Sequence, residues 1–175
     1  MHYGNIKDLD IANGPGCRVS LFVSGCRNHC KGCFQPETWD FNYGKEFTSE
    51  TLSKLMHLLG DPHIKGLSIL GGDPLEPENT DTIETICILA SVFYQEKDIW
   101  MWTGYHWEDV KDLPVIRYID VLVDGPFIES QKNLCLAYRG SSNQRVIDVK
   151  KSLESGKIVL RNDCNMKKEK DGVTC

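Results

Sequence analysis

The chain has 175 residues, of which 41% are hydrophobic, and this composition is sufficient for one domain with a buried core. Its formal net charge of −5 argues against a general nucleic-acid binder, because phosphate recognition normally requires a surplus of basic residues. No apolar run is long enough to cross a bilayer, and no apolar signal segment follows Met1. We therefore expect a cytoplasmic protein that binds neither nucleic acid nor a membrane.

Strand patterns and helix patterns alternate along the chain. Short apolar runs that end at turns containing cysteine or glycine predict strands. They are Val19 to Val23, Leu67 to Leu70, Ile99 to Thr103 and Asp120 to Asp124.

The segments between these runs have helical spacing of apolar residues. Thr48 can cap the first helix, a second carries apolar residues from Ile83 to Phe93, and a shorter one lies around Trp107 to Leu113. Such alternation predicts an α/β fold with a parallel sheet. We place this domain at residues 1–160 and a polar, lysine-rich tail at 161–175.

The carboxyl ends of the predicted strands carry polar and glycine-rich turns. In parallel α/β folds ligands bind at this edge, so the turns should converge on one site. Each glycine taken alone is also explained by its turn, but the presence of a cysteine loop at the same edge favours a shared site. The turns are the cysteine loop, Gly71-Gly72-Asp73-Pro74, Thr103-Gly104-Tyr105 and Asp124-Gly125.

The cysteine loop contains Cys26, Cys30 and Cys33. Three thiolates in one short loop, with no fourth cysteine nearby, suit an iron-sulfur cluster that keeps one iron free for a ligand. A structural zinc site is the alternative, but its fourth ligand would have to be His29 in the same loop. A disulfide framework is weaker, because the remaining cysteines are scattered, and Cys87 lies on a predicted helix face as a small core residue.

These motifs resemble the radical S-adenosylmethionine enzymes, which combine a CxxxCxxC loop after the first strand with a Gly-Gly-acidic-Pro turn after the second. Within that superfamily, Asn13 to Arg18, Gly71 to Leu75 and Asp98 to Tyr105 resemble the activases of glycyl-radical enzymes. The last segment, with Asp120 to Gly125 and Arg139 to Gln144, is similar to the activating proteins of anaerobic ribonucleoside-triphosphate reductases. The resemblance covers nearly the whole chain.

The resemblance implies a fold and a reaction. The fold is a partial, open, parallel (β/α)6-like barrel, whose open side suits a loop of another protein as substrate. Trp39 to Tyr43 and Trp100 to Trp107 are candidates to line the opening, although we expect Trp100 to pack in the core and Trp107 not to. The three cysteines would hold a [4Fe-4S] cluster whose fourth iron binds S-adenosylmethionine. Reductive cleavage would give methionine and a 5′-deoxyadenosyl radical, which takes a hydrogen atom from a glycine of the partner.

The same resemblance assigns cofactor contacts at the strand ends. Gly71 and Gly72 would let the backbone approach the methionine amino group, with Asp73 accepting a hydrogen bond or shaping the turn. The wider superfamily often has Glu in place of this Asp, whereas the activating proteins share it. Thr103 and Asp124 would reach the ribose or the carboxylate, with a bound cation as one possible bridge.

Two residues beside the third cysteine are further candidates. Gly32 and Phe34 flank Cys33, an arrangement that the activating proteins share and many other radical S-adenosylmethionine enzymes do not. We place both against the cofactor, with the Phe34 ring toward adenine, and the alternative is a buried loop anchor. His29 is expected to face solvent. No catalytic residue is assigned beyond the cluster ligands.

Three functional hypotheses follow. The first is an oxidoreductase that activates the large subunit of an anaerobic ribonucleoside-triphosphate reductase, using a low-potential electron donor such as flavodoxin. The second is another radical S-adenosylmethionine enzyme, either a formate-lyase-type activase or an enzyme acting on a small molecule. The third is a non-catalytic metal-binding module. The short length and the matched segments favour the first.

Overall fold

Seven strands form one mixed sheet in the computed structural model of the chain, which describes residues 1–161. The predicted tail therefore lies, from residue 162 onward, outside the described residues. The strands are β1 (His2–Asp10), β2 (Arg18–Val23), β3 (Lys45–Glu46), β4 (Gly66–Gly71), β5 (Asp98–Trp102), β6 (Val121–Asp124) and β7 (Arg145–Asp148). The helices are α1 (Ser49–Leu59), α2 (Pro77–Phe93), α3 (Trp107–Val110) and α4 (Val149–Ser155), and short 3-10 helices cover Pro36–Trp39, Pro114–Tyr118 and Glu129–Gln131.

The sheet has a parallel centre and antiparallel edges, in the order β3-β1-β2-β4-β5-β6-β7. Strands β2, β4, β5 and β6 are parallel neighbours, which confirms the four strands predicted from the sequence. Strands β1, β3 and β7 were not predicted, and they pair antiparallel. The reason is that a parallel pair needs a crossover, usually a helix, and no α-helix separates β1 from β2 or β6 from β7.

One face of the sheet packs against the helices. Alternate strand residues such as Leu21, Ile69 and Met101 are fully buried there. They meet apolar side chains of α1 and α2, including Leu55 and Ile83. This outer face is the main hydrophobic core, and it exists because successive strand residues point to opposite faces.

Two sequence interpretations about the core can now be compared with the structure. Cys87 is fully buried in α2, as expected of a small core residue. Trp100 is also fully buried, as predicted. The expectation that Trp107 would lie outside the core is wrong, because its side chain is only 5% exposed and packs with the outer-face cluster. Trp107 is the first residue of α3, and its backbone N–H is held by the Asp124 carboxylate at the end of β6, at 2.7 Å.

The opposite face of the sheet has a different composition. Here Arg18, Ser68 and Trp100 are all buried, and the guanidinium of Arg18 is 5.7 Å from the Trp100 ring centroid. Arg18 Nε donates to Ser68 Oγ at 2.7 Å, and its Nη1 pairs with Asp98 at 2.6 Å. This inner face therefore keeps the charge of Arg18 in the interior by pairing it, and it leads up to the carboxyl ends of the strands.

Candidate functional site

A cavity of about 530 Å³ opens at the carboxyl ends of the parallel strands. Residues after β2, β4, β5 and β6 all contribute to its wall, as the polarity of the parallel strands predicts. Its wall includes Cys26, Cys30, Cys33, Phe34, Gly71, Gly72, Thr103, Gly104 and Gly125 from the predicted turns. The strand ends thus share one site.

The cysteine loop brings its three thiols to this cavity. Cys26, Cys30 and Cys33 are each partly buried and line the wall. Burial raises the pKa of the Cys26 and Cys30 thiols, since the thiolate loses hydration there. His29 and Gly32 adopt φ values of 44° and 74°, a left-handed backbone that folds the loop tightly enough to group the thiols.

His29 is exposed, as predicted. Its imidazole stacks on the indole ring of Trp39, with ring centroids 4.6 Å apart and an interplanar angle of 20°. This contact links the cysteine loop to the 3-10 helix Pro36–Trp39.

The loop is fastened to the start of α2 by Arg27. Its backbone N–H donates to Glu76 Oε1 at 2.7 Å, and its guanidinium Nη1 donates to Glu76 Oε2 at 2.5 Å. The same guanidinium also pairs with Glu78 at 2.5 Å. Because the Glu76 side chain is fully buried, its pairing is needed to keep that carboxylate in the interior, and this fixes the loop relative to the sheet.

Asp73 accepts several hydrogen bonds and does not line the cavity. Its buried carboxylate accepts from Thr103 Oγ1 at 2.8 Å, from the Gly104 N–H at 2.8 Å and from the Leu75 N–H at 3.0 Å. Asn28 Nδ2 also donates to it at 3.3 Å. Burial raises the pKa of Asp73 to about 6, partly offset by these donors. Of the two roles predicted for Asp73, the geometry favours shaping the turn.

The glycine pair of the turn is required by close backbone packing. Gly71 has φ 110°, and a Cβ at Gly72 would lie 2.5 Å from the carbonyl oxygen of Gly25, directly before the cysteine loop. Both glycines line the cavity, so the turn is available to a ligand as well. A side chain at Gly72 would disturb the cysteine loop first and the ligand second.

The remaining predicted residues are placed differently from one another. Phe34 lines the cavity and is 61% exposed at its rim, and Thr103 lines it while bonded to Asp73. Gly32 does not line the cavity, and the side chain of Glu129 occupies the space beside it. Asp124 also lies outside the wall, where its buried carboxylate pairs with Arg145 at 2.5 Å and accepts from the Trp107 N–H at 2.7 Å.

Asp124, His106 and Glu108 lie close enough together to offer ligand atoms to a cation. Arg145 already bridges the two carboxylates, with Glu108 Oε2 at 2.8 Å and Asp124 Oδ2 at 2.5 Å. A guanidinium in this position supplies the positive charge that a cation would bring.

Sequence reasoning missed one wall of the cavity. This wall is formed by the segment between β6 and β7 and contributes Phe127, Leu134, Leu136, Tyr138 and Arg139. It reaches the cysteine loop through the Phe34 and Phe127 rings, whose centroids are 5.3 Å apart. The available signal was the segment Arg139 to Gln144, which contributed to the family resemblance but was given no role.

Comparison with known proteins agrees with this chemistry. The sequence model of a 4Fe-4S single cluster domain matches residues 12–147, a segment that contains the whole cysteine loop. This match places the chain in the class of iron-sulfur proteins with a single [4Fe-4S] cluster domain.

The chain is also similar to proteins named anaerobic ribonucleoside-triphosphate reductase-activating protein. The relative from Enterobacteria phage T4 is 44% identical over 148 residues, which cover 83% of this chain and 93% of the relative. The relative from Vibrio cholerae serotype O1 is 43% identical, covering 82% of this chain and 96% of the relative. The one from Escherichia coli strain K12 is 42% identical, covering 83% and 97%. The chain therefore belongs to the family of anaerobic ribonucleoside-triphosphate reductase-activating proteins.

Membrane insertion finds no support in the helices. Over residues 1–161, none of them combines the length and the hydropathy that a bilayer span requires.

Proposed function

We propose that this protein activates an anaerobic ribonucleoside-triphosphate reductase by generating a glycyl radical on its large subunit. The observation that carries the proposal is a single cavity whose wall combines three cysteine thiols with the glycine turn after β4 and the polar end of β5. The name shared by the relatives supports an anaerobic ribonucleoside-triphosphate reductase as the partner.

Cys26, Cys30 and Cys33 would hold a [4Fe-4S] cluster in which one iron stays open to a ligand. The donor set suits this group, since three partly buried thiols lie in one loop and His29 is stacked on Trp39. When bound, the cluster supplies the electron that cleaves S-adenosylmethionine. The chain itself positions the thiols, because the contacts of Arg27 with Glu76 fix the cysteine loop.

S-Adenosylmethionine is the proposed occupant of the cavity. The volume of about 530 Å³ is within the range of small-molecule sites, which is roughly 300–1,000 Å³. Gly71, Gly72 and Thr103 offer backbone and hydroxyl groups, and Phe34 offers an aromatic surface to adenine. In this proposal Asp73 acts as a positioning residue, and Gly32 and Asp124 act through the loop and the strand end that they stabilise.

We also infer that the sheet is the curved wall of a partial, open (β/α)6-like barrel. Support comes from the helices, which cover only the outer face, and from the cavity on the inner face. The rim carries two exposed apolar side chains, Phe34 at 61% and Leu134 at 71% exposure. Such a rim suits a glycine loop of a partner protein.

An acidic redox protein such as flavodoxin is the proposed electron donor. Support comes from the family resemblance and from the exposure of the cysteine loop, in which Arg27 is 54% and Lys31 90% exposed, so that a redox partner can approach the thiols. Flavodoxin and an anaerobic reductase are both cytoplasmic partners, so we place the protein in the cytoplasm.

The test is anaerobic reconstitution with iron and sulfide, followed by S-adenosylmethionine, a reductant and an anaerobic ribonucleotide reductase. We expect iron and sulfide in the protein, release of 5′-deoxyadenosine, and a glycyl-radical doublet in the electron paramagnetic resonance spectrum of the reductase. Deuterated glycine in the reductase should collapse the doublet, because one Cα hydrogen couples to the unpaired spin.

Other outcomes would favour the other hypotheses. A radical on a formate-lyase-type partner alone would indicate a different activase. Cleavage of S-adenosylmethionine without a radical on either partner would indicate an enzyme acting on a small molecule. Absence of iron and sulfide after reconstitution would leave only a non-catalytic metal-binding module.

A further inference from the structure

The side-chain amide of Asn28 lies between the first thiol of the cysteine loop and the turn after β4. Its Nδ2 donates to Cys26 Sγ at 3.8 Å and to Asp73 Oδ2 at 3.3 Å. A side-chain amide has two N–H groups, so one can donate to the sulfur while the other donates to the carboxylate. Because both neighbours are acceptors, the nitrogen of the amide and not its oxygen faces the sulfur.

The turn after β5 helps to hold this amide in place. A Cβ at Gly104 would lie 2.3 Å from Asn28 Nδ2, so the glycine backbone packs directly against the amide. Asp73 is itself fixed, because it accepts from Thr103 Oγ1 and from the Gly104 N–H, each at 2.8 Å. Asn28 is an exposed residue that lines the cavity, but its donor group is therefore held by the turns after two strands. Less conformational entropy is then lost in keeping its hydrogen bond to the sulfur.

This hydrogen bond bears on the proposed [4Fe-4S] cluster, for which Cys26 is one of the ligands. Hydrogen bonds to the sulfurs are among the factors that set the reduction potential of an iron-sulfur cluster. Reduction by one electron, from the low-potential donor proposed above, adds negative charge that the thiolate sulfurs share. An N–H donor stabilises this added charge more strongly in the reduced form than in the oxidised form, so it makes the potential less negative.

We propose that Asn28 donates a hydrogen bond to the Cys26 sulfur in the cluster-loaded protein and thereby makes the cluster easier to reduce. Asn28 acts through Cys26 and is therefore a positioning residue. Asp73 and Gly104 orient its amide. The assignment rests on the proposed function, because it requires that the three loop cysteines bind the cluster.

The side chain of Asn28 can be tested separately from the backbone around it. The backbone N–H groups of Asn28 and His29 also donate to the Cys26 sulfur, and replacement of the side chain keeps them. Because Asn28 is exposed, its truncation leaves no cavity in the hydrophobic core, and we expect the variants to fold. Far-ultraviolet circular dichroism and iron content verify this for each variant.

The first measurement is a redox titration of the reconstituted full-length protein, without S-adenosylmethionine, followed by the electron paramagnetic resonance signal of the reduced cluster. We expect Asn28→Ala to bind the electron about threefold to tenfold less tightly, the size of one lost hydrogen bond. At 59 mV per tenfold for a one-electron couple, the potential becomes more negative by about 28 to 59 mV. Asn28→Leu, which lacks the donor but fills its space, should shift the potential in the same direction.

The matched control is the same pair of substitutions at Asn133. This asparagine also lines the cavity, but its Oδ1 accepts from the backbone N–H of Cys135 at 2.9 Å. Asn133→Ala and Asn133→Leu should therefore leave the potential unchanged.

The second measurement detects the contact itself. Wild type is labelled with heavy nitrogen in its asparagine side chains, and the reduced cluster is studied by pulsed electron paramagnetic resonance. We expect a coupling between the unpaired spin and a labelled nitrogen, because spin density on the sulfur reaches the nitrogen through the hydrogen bond. The coupling should be lost in Asn28→Ala and retained in Asn133→Ala.

The outcomes are distinct. A potential that is unchanged or less negative in both Asn28 variants overturns the assignment, and so does the absence of the coupling in wild type. If the Asn28 variants do not retain the cluster, the coupling in wild type decides alone. If wild type itself binds no cluster, the proposed function and the assignment both fail. If both measurements give the expected result but wild type activates no reductase, only the proposed function fails.

Discussion

The two faces of the sheet are built from the same strands but differ in composition and in role. On the outer face, residues such as Leu21 and Ile69 are apolar, fully buried and covered by helices. On the inner face, Ser68 and Arg18 are buried and hydrogen-bonded, and the strands lead to a cavity. Alternation along a strand therefore places apolar packing on one face and, on the other, hydrogen-bonded polar groups that lead to the cavity.

The difference shows where this fold can bury polar groups. The outer face tolerates no unpaired polar atom because helices exclude water from it. The inner face accepts an arginine because Asp98 and Ser68 satisfy it. Substitutions of one residue type on both faces, or of neighbouring residues that face opposite ways, should separate these roles.

The largest contrast is expected among the cysteines. Alanine at Cys26, Cys30 or Cys33 should abolish the cluster and the cleavage of S-adenosylmethionine, because a cluster with three protein ligands tolerates the loss of none. Cys87→Ala, on the outer face, should keep both and lower only stability, by about 1 kcal/mol. Iron and sulfide content and 5′-deoxyadenosine formation measure the effect. Retained cleavage in any one of the three loop variants would contradict the assignment.

Neighbouring residues of β4 provide a direct test of the two faces. Ile69→Ala should reduce the free energy of unfolding by about 2–5 kcal/mol, because it leaves a cavity in the packed outer face. Ser68→Ala should cost about 1–3 kcal/mol, because it leaves Arg18 Nε without its acceptor at 2.7 Å. Urea unfolding of the two variants compares them. A larger loss of unfolding free energy for Ser68→Ala than for Ile69→Ala would contradict the assignment of the outer face as the main hydrophobic core.

The turn that joins the inner face to the cavity should be sensitive to a single methyl group. In Gly72→Ala the added Cβ would lie 2.5 Å from the Gly25 carbonyl oxygen, so the backbone before Cys26 must shift. We expect a loss of about 1–3 kcal/mol in stability and weaker retention of the cluster. Thermal unfolding and iron content provide the measurements. Full stability with a complete cluster would show that the turn relaxes without disturbing the cysteine loop.

The last expected effect is the pH dependence that Asp73 contributes. Burial raises its pKa from 3.8 to about 6, so the folded state holds this proton more tightly than the unfolded state. The contribution of Asp73 to stability is then complete below pH 4 and is lost as the pH rises through about 6. Relative to Asp73→Asn, wild type should therefore gain stability as the pH is lowered from 7 to 4. A constant difference across that range, in urea unfolding, would contradict the shifted pKa.

Local patterns in the sequence were sufficient for the centre of this protein. The apolar runs of β2, β4, β5 and β6, the Thr48 cap of α1 and the spacing of Cys26, Cys30 and Cys33 all act over a few residues, so a single sequence records them. Because parallel strands direct their carboxyl ends to one edge, the same patterns also predicted which turns would share a site.

Only the tertiary structure determined the edge strands of the sheet and the cavity wall between β6 and β7. In strand β1 the consecutive residues Lys7 to Leu9 are all exposed, so buried and exposed residues do not alternate regularly along it. Strand β3 has only two residues. Neither strand therefore has a recognisable strand pattern in the sequence. Asp73 and Asp124 were candidate cofactor contacts in the sequence, and Asp73 was also a candidate for shaping its turn. In the structure each carboxylate accepts from a donor more than fifteen residues away. Arg139 acquires its place in the cavity through Gln144 and Gly125, contacts that depend on how β7 returns beside β6. Such pairings depend on the folded chain, because no local rule relates residues that meet only across the sheet.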